Sequence, residues 1–513
     1  MRCLSIVALL FATSTVLAQP VLKTPSPKPL DEVWEAAYVR NDAGVDVKIG
    51  YIHMTSANVE VDGKKLLRTT KELRFTVGRG EAKAEMKADV SSDEDANGKV
   101  QAVKAKIGLG ANRTQTLDCT VIDGKIIRIT ADGEFKYQRE FRWDPNCIGL
   151  ASEQTLLRDK KVKPGDSLTY RYFEPQVTNY VTVKVEVKDK ENVLLPGGVK
   201  RDLLKVIQKP DPLKINDKQQ LQLPPATFWV DPTSYDTIKT EMEIPEIGKV
   251  SLIRTSKVAA LAPNGQVPDL MKRQSIYLAK SIPDMHERDS IVYKVTFTGD
   301  AQPKELVSTD SRQTIKGVEG KTFELHIQSR RKPIKLEKEE KAGEEFLKSN
   351  YFINSDDAEV KKLAAKAAGT AATPWAKAQK IESFVRTYMK PADFTEAMAP
   401  ADHVAKSRMG DCTEYSMLTC AMCRAAGVPS RTAIGLVYVN NLLGKPGLAF
   451  HMWTEVFVDG QWLGLDSTIG IGSIGPGHIK ITDHSWAGII SFTPLLPVKG
   501  FIMANPKIEV VEK

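Results

Sequence analysis

Short runs of alternating apolar and polar residues dominate the chain between residues 31 and 330, and they constrain its fold more than any other feature. In the run from Tyr180 to Val187, valine occupies every second position. A period of two is that of a β-strand with one face in a core. Turn dipeptides such as Asn97-Gly98 and Gly197-Gly198 separate the runs, as expected between antiparallel strands. The pattern predicts all-β, sandwich-like modules.

The length of 513 residues favours several domains. We predict β module 1 over residues 31–148, β module 2 over 149–265, a small β module over 270–335 and a further domain over 350–513. The first two stretches have similar size and texture. They fit either two repeated modules or one large double sandwich.

After about residue 350 the pattern changes to helices followed by strands. Ser355 or Asp356 is expected to cap a first helix. Thr373-Pro374 is typical of an N-cap followed by the first helical residue, and that helix should run to about Lys390. A third helix should begin at about Cys412. The predicted fold class is therefore multidomain, with N-terminal all-β modules followed by a C-terminal α+β domain.

The N-terminus has the features of a secretory signal peptide over residues 1–18. Arg2 precedes a short apolar run, Leu4–Phe11, and cleavage is expected before Gln19. The run is shorter than the roughly 20 residues that span a bilayer. Residues 19–30 are rich in proline and are expected to form a linker. We therefore expect an extracytoplasmic protein, periplasmic or secreted, with no transmembrane segment after signal cleavage.

Charge and cysteine usage narrow the possible functions. The net charge is +8, but basic and acidic residues are interleaved, which argues against a nucleic-acid partner. Cys119 and Cys147 could form a disulfide in an oxidising compartment, and two buried thiols fit equally well. Cys420 and Cys423 form a Cys-x-x-Cys. Because no second ligand pair has zinc spacing, we favour core side chains over a metal or redox site.

Cys412 lies at the predicted start of the third helix, directly after Gly410-Asp411. A helix N-terminus presents free N–H groups and a positive potential. Both stabilise a thiolate, and the N–H groups could also bind the oxyanion of a tetrahedral intermediate. On this local sequence alone, an inert buried cysteine is an equally good interpretation.

His451 and Asp466 belong to a predicted β-hairpin. Asp459-Gly460 is a dipeptide of tight two-residue turns. If Val458 pairs with Gln461, His451 and Asp466 share one face of the hairpin, one diagonal step apart and within hydrogen-bonding reach. A register slip of one residue would place them on opposite faces. Together with Cys412 they supply the nucleophile, the base and the orienting group of a thiol enzyme.

The sequence around these three residues resembles the core of the transglutaminase-like superfamily. The matching segments are Gly410–Tyr415, Cys423–Arg431, His451–Val456 and Trp462–Asp466. The resemblance implies a papain-like fold in which Cys412 is the nucleophile, His451 the base and Asp466 the group that orients the base. Ser467 departs from the family, which often has proline there. The N-terminal modules are similar, more loosely, to β-rich halves of exported bacterial proteins of this type.

The predicted function is that of an exported thiol enzyme that cleaves amide bonds through a Cys412 thioester. Hydrolysis, as in a peptidase or amidase, is favoured over transfer to an amine, which would cross-link proteins. A non-catalytic binding protein with this fold and an NlpC-like cell-wall peptidase are alternatives. Glu414-Tyr415 and the strand His451–Val456 fit the transglutaminase type better than the NlpC type.

The remaining expectations concern ligands and neighbouring side chains. We expect a protein or peptide substrate, with the cell envelope as a source, and neither a cofactor nor a metal. Trp453 is expected to lie on the His451 face of its strand and to shield the site. His403, His478 and His484 could each line the cleft, but positions at the surface or in loops are favoured.

Overall fold

The computed structural model describes residues 29–41, 44–79, 82–109, 113–214, 220–244, 248–265, 275–298, 306–335, 339–391 and 398–511. The predicted signal peptide and most of the proline-rich linker lie outside the described residues and stay predictions. The chain divides into two compact units. The N-terminal unit comprises Met1–Leu213 and Gln222–Leu270, and the C-terminal unit comprises Lys214–Leu221 and Met271–Lys513. Within the described residues, no helix is both long enough and apolar enough to cross a membrane.

Strands make up most of the chain up to residue 255. They are β1 (Asp31–Arg40), β2 (Asp46–Val61), β3 (Lys64–Arg79), β4 (Ala82–Glu94), β5 (Val100–Leu109), β6 (Arg113–Ile122), β7 (Ile126–Ala131), β8 (Gln138–Arg142), β9 (Ser167–Glu174), β10 (Asn179–Leu194), β11 (Lys200–Pro210), β12 (Leu213–Lys214), β13 (Gln220–Leu221), β14 (Ala226–Val230), β15 (Thr237–Ile244) and β16 (Gly248–Thr255). Two helices accompany them, α1 (Leu150–Asp159) and α2 (Lys257–Leu261).

One antiparallel sheet of fourteen strands organises the N-terminal unit, in the order β8-β7-β6-β5-β4-β3-β2-β1-β16-β15-β14-β11-β10-β9. The sheet crosses the predicted boundary between residues 148 and 149, because β1 pairs with β16 from Trp34 opposite Thr255 to Val39 opposite Val250. The two stretches, which we expected to be either two repeated modules or one large double sandwich, therefore share one sheet. The five consecutive residues from Val33 to Ala37 are buried, as expected for a central strand covered on both faces.

The C-terminal unit combines further strands with five helices among its described residues. Its strands are β17 (Ile276–Tyr277), β18 (Ser290–Phe297), β19 (Gln313–Glu319), β20 (Thr322–Gln328), β21 (Lys390–Pro391), β22 (Met409–Gly410), β23 (Ser430–Leu442), β24 (Lys445–Val458), β25 (Gln461–Asp466), β26 (Gly472–Ser473), β27 (His478–His484) and β28 (Pro506–Val510). Its helices are α3 (Ala358–Ala368), α4 (Pro374–Tyr388), α5 (Ala401–Ser407), α6 (Cys412–Ala425) and α7 (Leu496–Met503).

Two sheets of the C-terminal unit are relevant to the site. The larger has the order β26-β25-β24-β23-β27, and β17 also pairs with β24. The smaller has the order β19-β20-β18-β28. Its edge strand β28 comes from the end of the chain and pairs with β18 from Pro506 to Val510. The small module predicted over 270–335 is therefore completed by distant residues and belongs to the same compact unit as the helices.

Helix α6 is the core helix of this unit. Every residue from Thr413 to Arg424 is buried, because the helix contacts β24 on one side and α3, α4 and α5 on others. A helix covered all round has small and apolar residues on most faces. The all-β N-terminal part followed by this α+β arrangement confirms the predicted fold class.

The helix ends follow the predicted capping residues with small differences. The Thr373 side chain accepts from Ala376 N at the start of α4, as predicted. That helix ends at Tyr388, earlier than expected, because Lys390-Pro391 pairs with Met409-Gly410 as a short parallel strand. Helix α3 is capped by Asp357, and not by the predicted Ser355 or Asp356, since the Asp357 carboxylate accepts from two backbone N–H groups of the first turn.

Candidate active site

Cys412 is the first residue of α6, and a capping box fixes the start of that helix. Asp411 Oδ1 accepts from Thr413 N at 3.0 Å, and Glu414 Oε2 accepts from Asp411 N at 3.0 Å. Gly410 has φ +150°, and a Cβ there would lie 2.3 Å from Glu414 Cβ. A side chain at position 410 would therefore displace the capping box. Cys412 itself is half-buried, at the place where helix N–H groups stabilise a thiolate.

Glu414 anchors this turn to the preceding loop. The Glu414 side chain is completely buried, and its Oε1 accepts from Ala399 N at 3.0 Å and from Thr413 Oγ1 at 2.9 Å. Burial raises the pKa of Glu414 well above its usual value, and the neighbouring Asp411 charge adds to the effect. The hydrogen bonds to both oxygens hold the N-terminus of α6 in one position.

The first turn of α6 is also tied to the strand that carries His451. Ser416 Oγ donates to Cys412 O at 2.7 Å, and Thr454 Oγ1 on β24 donates to Ser416 O at 3.1 Å. Thr454 lies three residues after His451 on the same strand. The nucleophile candidate and the base candidate are therefore carried by two elements in direct contact.

The hairpin formed by β24 and β25 has the predicted register. Val458 pairs with Gln461, and the pairing continues to Thr454 opposite Leu465. The turn residues Asp459 and Gly460 have φ +48° and +71°, which is the backbone of a type I′ turn. His451 Nε2 lies 2.7 Å from Asp466 Oδ2. The prediction that these two side chains share one face of the hairpin is confirmed.

Asp466 is a buried carboxylate whose two oxygens both accept hydrogen bonds. Oδ2 accepts from His451, and Oδ1 accepts from Thr468 N at 2.9 Å. Burial by itself raises the pKa of Asp466, but the facing histidines His451 and His478 outweigh burial and bring the pKa far below its usual value. The carboxylate therefore stays ionised in the interior and can balance a positive charge on His451.

His478 was expected at the surface or in a loop, and this expectation is wrong. It opens strand β27, is fully buried, and its Nε2 lies 2.9 Å from the same Asp466 Oδ2. No local pattern indicates this contact, because His478 reaches Asp466 from a strand on the far side of β24 and β23. Only the three-dimensional arrangement of the sheet brings the second histidine to the carboxylate.

The other expected neighbours take different positions. Trp453 is 1% exposed, and its ring packs 6.4 Å from the His451 ring and 5.1 Å from the His478 ring, measured between centroids. It packs against His451, as predicted, and also against His478. His484 is also on β27, where its Nδ1 accepts from Trp486 N, and burial lowers its pKa to about 4. His403 lies on helix α5.

His451, Asp466 and His478 form the group of side chains that could hold a metal ion, among the residues that the structure describes. One ligand atom from each lies within 4.8 Å of the others, and imidazole and carboxylate suit zinc. The same atoms are engaged in the two hydrogen bonds to Asp466 Oδ2, so hydrogen bonding alone accounts for their approach. The sequence-based expectation that the protein needs no metal stays a prediction.

The remaining cysteines are buried thiols. Cys420 and Cys423 are both fully buried on α6, and burial raises the pKa of each thiol. Cys420 Sγ contacts Ser430 Oγ at 3.3 Å. Cys119 and Cys147 are free thiols rather than a disulfide, and burial raises the pKa of Cys147 to about 12. These four thiols therefore have little thiolate character at neutral pH.

Residues 361–467 match the sequence model of the transglutaminase-like superfamily. This stretch is a transglutaminase-like core. It contains Cys412, His451 and Asp466 but ends before His478. The match supports a thiol enzyme in general terms. No curated protein matches the chain.

Solved structures similar to the chain include three bacterial proteins. A candidate cysteine protease from Cytophaga hutchinsonii is 19% identical, with 39% of this chain and 82% of that chain covered and a TM-score of 0.28. A β-barrel-like protein of a domain of unknown function from Brucella abortus is 12% identical, with 44% and 95% covered and a TM-score of 0.33. A candidate exported protein with a YmcC-like fold from Bacteroides fragilis is 12% identical, with 45% and 97% covered and a TM-score of 0.19. At these scores, nothing about the function of this chain follows from them.

Proposed function

We propose that the transglutaminase-like domain is a cysteine peptidase or amidase with Cys412 as nucleophile, His451 as base and Asp466 as the group that orients the base. The observation that carries the proposal is the 2.7 Å hydrogen bond between His451 and Asp466. It lies on the hairpin whose strand β24 contacts helix α6, and Cys412 is the first residue of that helix. An ionised, buried carboxylate on a histidine near a helix N-terminus is the arrangement a thiol nucleophile requires.

The hydrogen bond also assigns the roles of the two ring nitrogens of His451. Because Asp466 is ionised, His451 Nε2 carries a proton and donates it to the hydrogen bond. In the neutral ring, Nδ1 is then the basic nitrogen. His451 Nδ1 takes the proton from Cys412 Sγ, and the resulting imidazolium faces the Asp466 carboxylate through its Nε2–H.

The bond changes then follow in two halves. The Cys412 thiolate attacks the amide carbonyl carbon, and the oxyanion is stabilised by backbone N–H groups at the start of α6. The carbon–nitrogen bond breaks as the imidazolium gives its proton to the leaving amine, which leaves a thioester on Cys412. Water loses a proton to His451 and attacks the thioester carbon. The carbon–sulfur bond then breaks, the carboxylic acid is released, and the His451 imidazolium returns its proton to the Cys412 thiolate.

Hydrolysis is proposed ahead of amine transfer because water needs no binding site of its own. Transfer would use the same three residues but would need a second site that holds the acceptor amine ahead of water. The substrate is proposed to be a protein or peptide amide of the cell envelope. Support for that location comes from the signal-peptide features of residues 1–18.

The first test is site-selective alkylation. Native protein is treated with a limiting amount of an iodoacetamide probe, and the labelled peptides are located by mass spectrometry in wild type, Cys412→Ala and Cys423→Ala. We expect label on Cys412 in wild type and in Cys423→Ala, and none in Cys412→Ala, because the other described cysteines are buried. Equal labelling of all three proteins, or no labelling of any, contradicts a reactive Cys412.

The second test separates the two acceptors. A peptide mixture is incubated with wild type in the presence of excess primary amine, with Cys412→Ala as the control. New carboxyl termini or deamidated side chains that require Cys412 support hydrolysis. Amine adducts formed in preference to hydrolysed products would replace hydrolysis with acyl transfer.

A further inference from the structure

We propose that His478 is a positioning residue that holds the Asp466 carboxylate in the orientation in which Oδ2 faces His451. The inference rests on the proposed function, since it assigns a role within the same site. His478 lies beyond the stretch that matches the superfamily, which ends at residue 467.

The geometry places two histidines on one carboxylate oxygen. His451 Nε2 lies 2.7 Å and His478 Nε2 lies 2.9 Å from Asp466 Oδ2. The other oxygen, Oδ1, accepts from Thr468 N at 2.9 Å and from Ile469 N at 3.4 Å. The carboxylate therefore has donors on both oxygens, and rotation about its Cβ–Cγ bond would break contacts on each side. Without His478, only His451 itself would hold Oδ2.

The tautomer of His478 follows from its surroundings. His478 Nδ1 is buried and has no hydrogen-bond partner among the described residues. A proton on Nδ1 would leave a buried N–H unpaired. It would also turn the lone pair of Nε2 toward the Asp466 carboxylate, and both effects are costly. The neutral ring therefore carries its proton on Nε2. Burial lowers the pKa of His478 to about 4 against the opposing effect of Asp466, so the ring acts as a neutral donor throughout the neutral range.

Neighbouring residues hold both the backbone and the ring of His478. Arg312 Nη2 donates to His478 O at 2.6 Å, and Arg312 Nη1 donates to Gly475 O at 3.3 Å. The ring of His286 packs edge-on at 5.7 Å, and Trp453 packs edge-on at 5.1 Å. A donor fixed from several directions can direct a carboxylate, whereas a mobile side chain could not.

The titratable and charged groups that face His478 come from several elements. They are His451 on β24, Asp466 on β25, His286 in the segment before β18, and Arg312 directly before β19. His286 donates from Nε2 to Tyr438 O at 3.1 Å, and burial lowers its pKa. His286 is therefore neutral at pH 7, and Arg312 does not titrate.

Three substitutions of His478 separate positioning from packing. His478→Gln places an amide N–H close to where the imidazole Nε2 was, so it keeps the donor. His478→Asn is equally polar, but its amide ends short of Asp466. His478→Leu fills the space without a donor. Each is compared with wild type and with the control His326→Gln. His326 lies on β20 of the smaller sheet, and its hydrogen-bond partner is Glu324.

The readouts are kcat and KM for each variant, together with the recovery of kcat in His478→Gln. We expect kcat to fall about 10–100-fold in His478→Leu and His478→Asn, with little change in KM. His478→Gln should restore kcat to near the wild-type value.

Each outcome bears on the proposal. Equal loss of kcat in the Gln and Asn variants, or a loss that appears in KM and not in kcat, would overturn the positioning role. If His478→Leu does not fold, as judged by thermal unfolding, the comparison of Gln with Asn still decides. Loss of wild-type activity on treatment with EDTA, restored by zinc, would make His478 a metal ligand and also overturn it. Failure of the proposed function is recognised separately, since Cys412→Ala would then retain activity.

Discussion

Lys480 is a buried cation on β27, and we predict that Lys480→Met destabilises the C-terminal unit. The Lys480 side chain is completely buried, and its Nζ pairs with Asp310, Glu455 and Asp483. Burial pulls the pKa of Lys480 down, but the three carboxylates outweigh burial and raise the pKa above its usual value. The ammonium is therefore charged in the folded protein. Methionine has a stem of similar length and volume, so the substitution mainly removes the charge.

The magnitude follows from the partners that remain. Lys480 Nζ lies 3.2 Å from Glu455 Oε1, and a pair at that distance is worth about 5 kcal/mol at an effective dielectric constant of roughly 20. Much of that value is offset by the cost of burying the ammonium. Glu455 and Asp483 keep Arg431 as a partner, at 2.7 and 2.9 Å. Removing one member of a buried pair costs about 3–5 kcal/mol, and because Arg431 remains we expect about 3 kcal/mol.

Urea unfolding followed by tryptophan fluorescence measures this change. With an m value of about 1–3 kcal/mol per molar urea, the midpoint should fall by roughly 1–3 M. The control is Lys348→Met, which removes an exposed pair with Glu344 and should leave the midpoint unchanged. In a second variant, Asp310→Asn is added to Lys480→Met, and this should recover part of the loss because the unpaired carboxylate is gone. A loss below 1 kcal/mol, or a double variant less stable than Lys480→Met, refutes the reasoning.

Three further predictions concern single residues near the site. Burial, with a contribution from the Asp466 charge, raises the pKa of Glu382 to about 7. The protonated Glu382 carboxyl therefore makes its full contribution to the free energy of unfolding below pH 4.5, and this contribution is lost as the pH rises to 7. Glu382→Gln should match wild type in urea midpoint at pH 4.5 and exceed it at pH 8, by up to about 3 kcal/mol. Gly460→Ala should lower the free energy of unfolding by about 1–3 kcal/mol, because φ is +71° and the new Cβ meets Glu339 Cβ at 2.7 Å. The control Gly444→Ala should lower it less, because the space around Gly444 is open. Glu414→Ala removes the capping box and should cost about 2–3 kcal/mol and slow the alkylation of Cys412.

Local features of the sequence were enough to predict the hairpin and the helix starts. Asp459-Gly460 dictates a two-residue turn, and that turn fixes which residues of β24 and β25 lie opposite each other. The contact between His451 and Asp466 follows directly from this register. Likewise, Thr373-Pro374 marks the start of α4 because capping depends on residues within one turn.

Contacts between distant residues could not be predicted in the same way. The pairing of β1 with β16 makes one sheet out of the two predicted modules, and no turn connects these strands. The pairing of β28 with β18 likewise joins segments about two hundred residues apart. His478 belongs to the same class, because its contact with Asp466 depends on the order of strands in the sheet. In β27, the four residues from His478 to Ile481 are all buried. The strand therefore has no alternation of polar and apolar residues that would have predicted which side chains face the site.

The long-range contacts bear on where the transglutaminase-like domain begins. The segment 275–335 lies within the small module predicted over residues 270–335, yet it supplies several contacts to the sheet of the site. His286 Nε2 donates to Tyr438 O, and Gln313 Nε2 donates to Lys480 O at 2.6 Å. Arg312 donates to His478 O. A chain that starts at residue 350 would lack all of these donors and would also leave β28 without its partner strand.

We therefore predict that residues 350–513 alone do not fold cooperatively, whereas residues 271–513 do. The shorter chain would leave the Lys480 ammonium without Asp310 and the backbone oxygens of His478 and Lys480 without their donors, and each unsatisfied buried group costs about 1–3 kcal/mol. Summed over these groups, the loss is comparable with the whole stability of a typical domain, about 5–15 kcal/mol. Thermal unfolding by circular dichroism and alkylation of Cys412 distinguish the two chains. A cooperative transition together with selective Cys412 labelling in residues 350–513 would show that the segment 275–335 is dispensable, and that the contacts of Arg312 and Gln313 contribute little to the site.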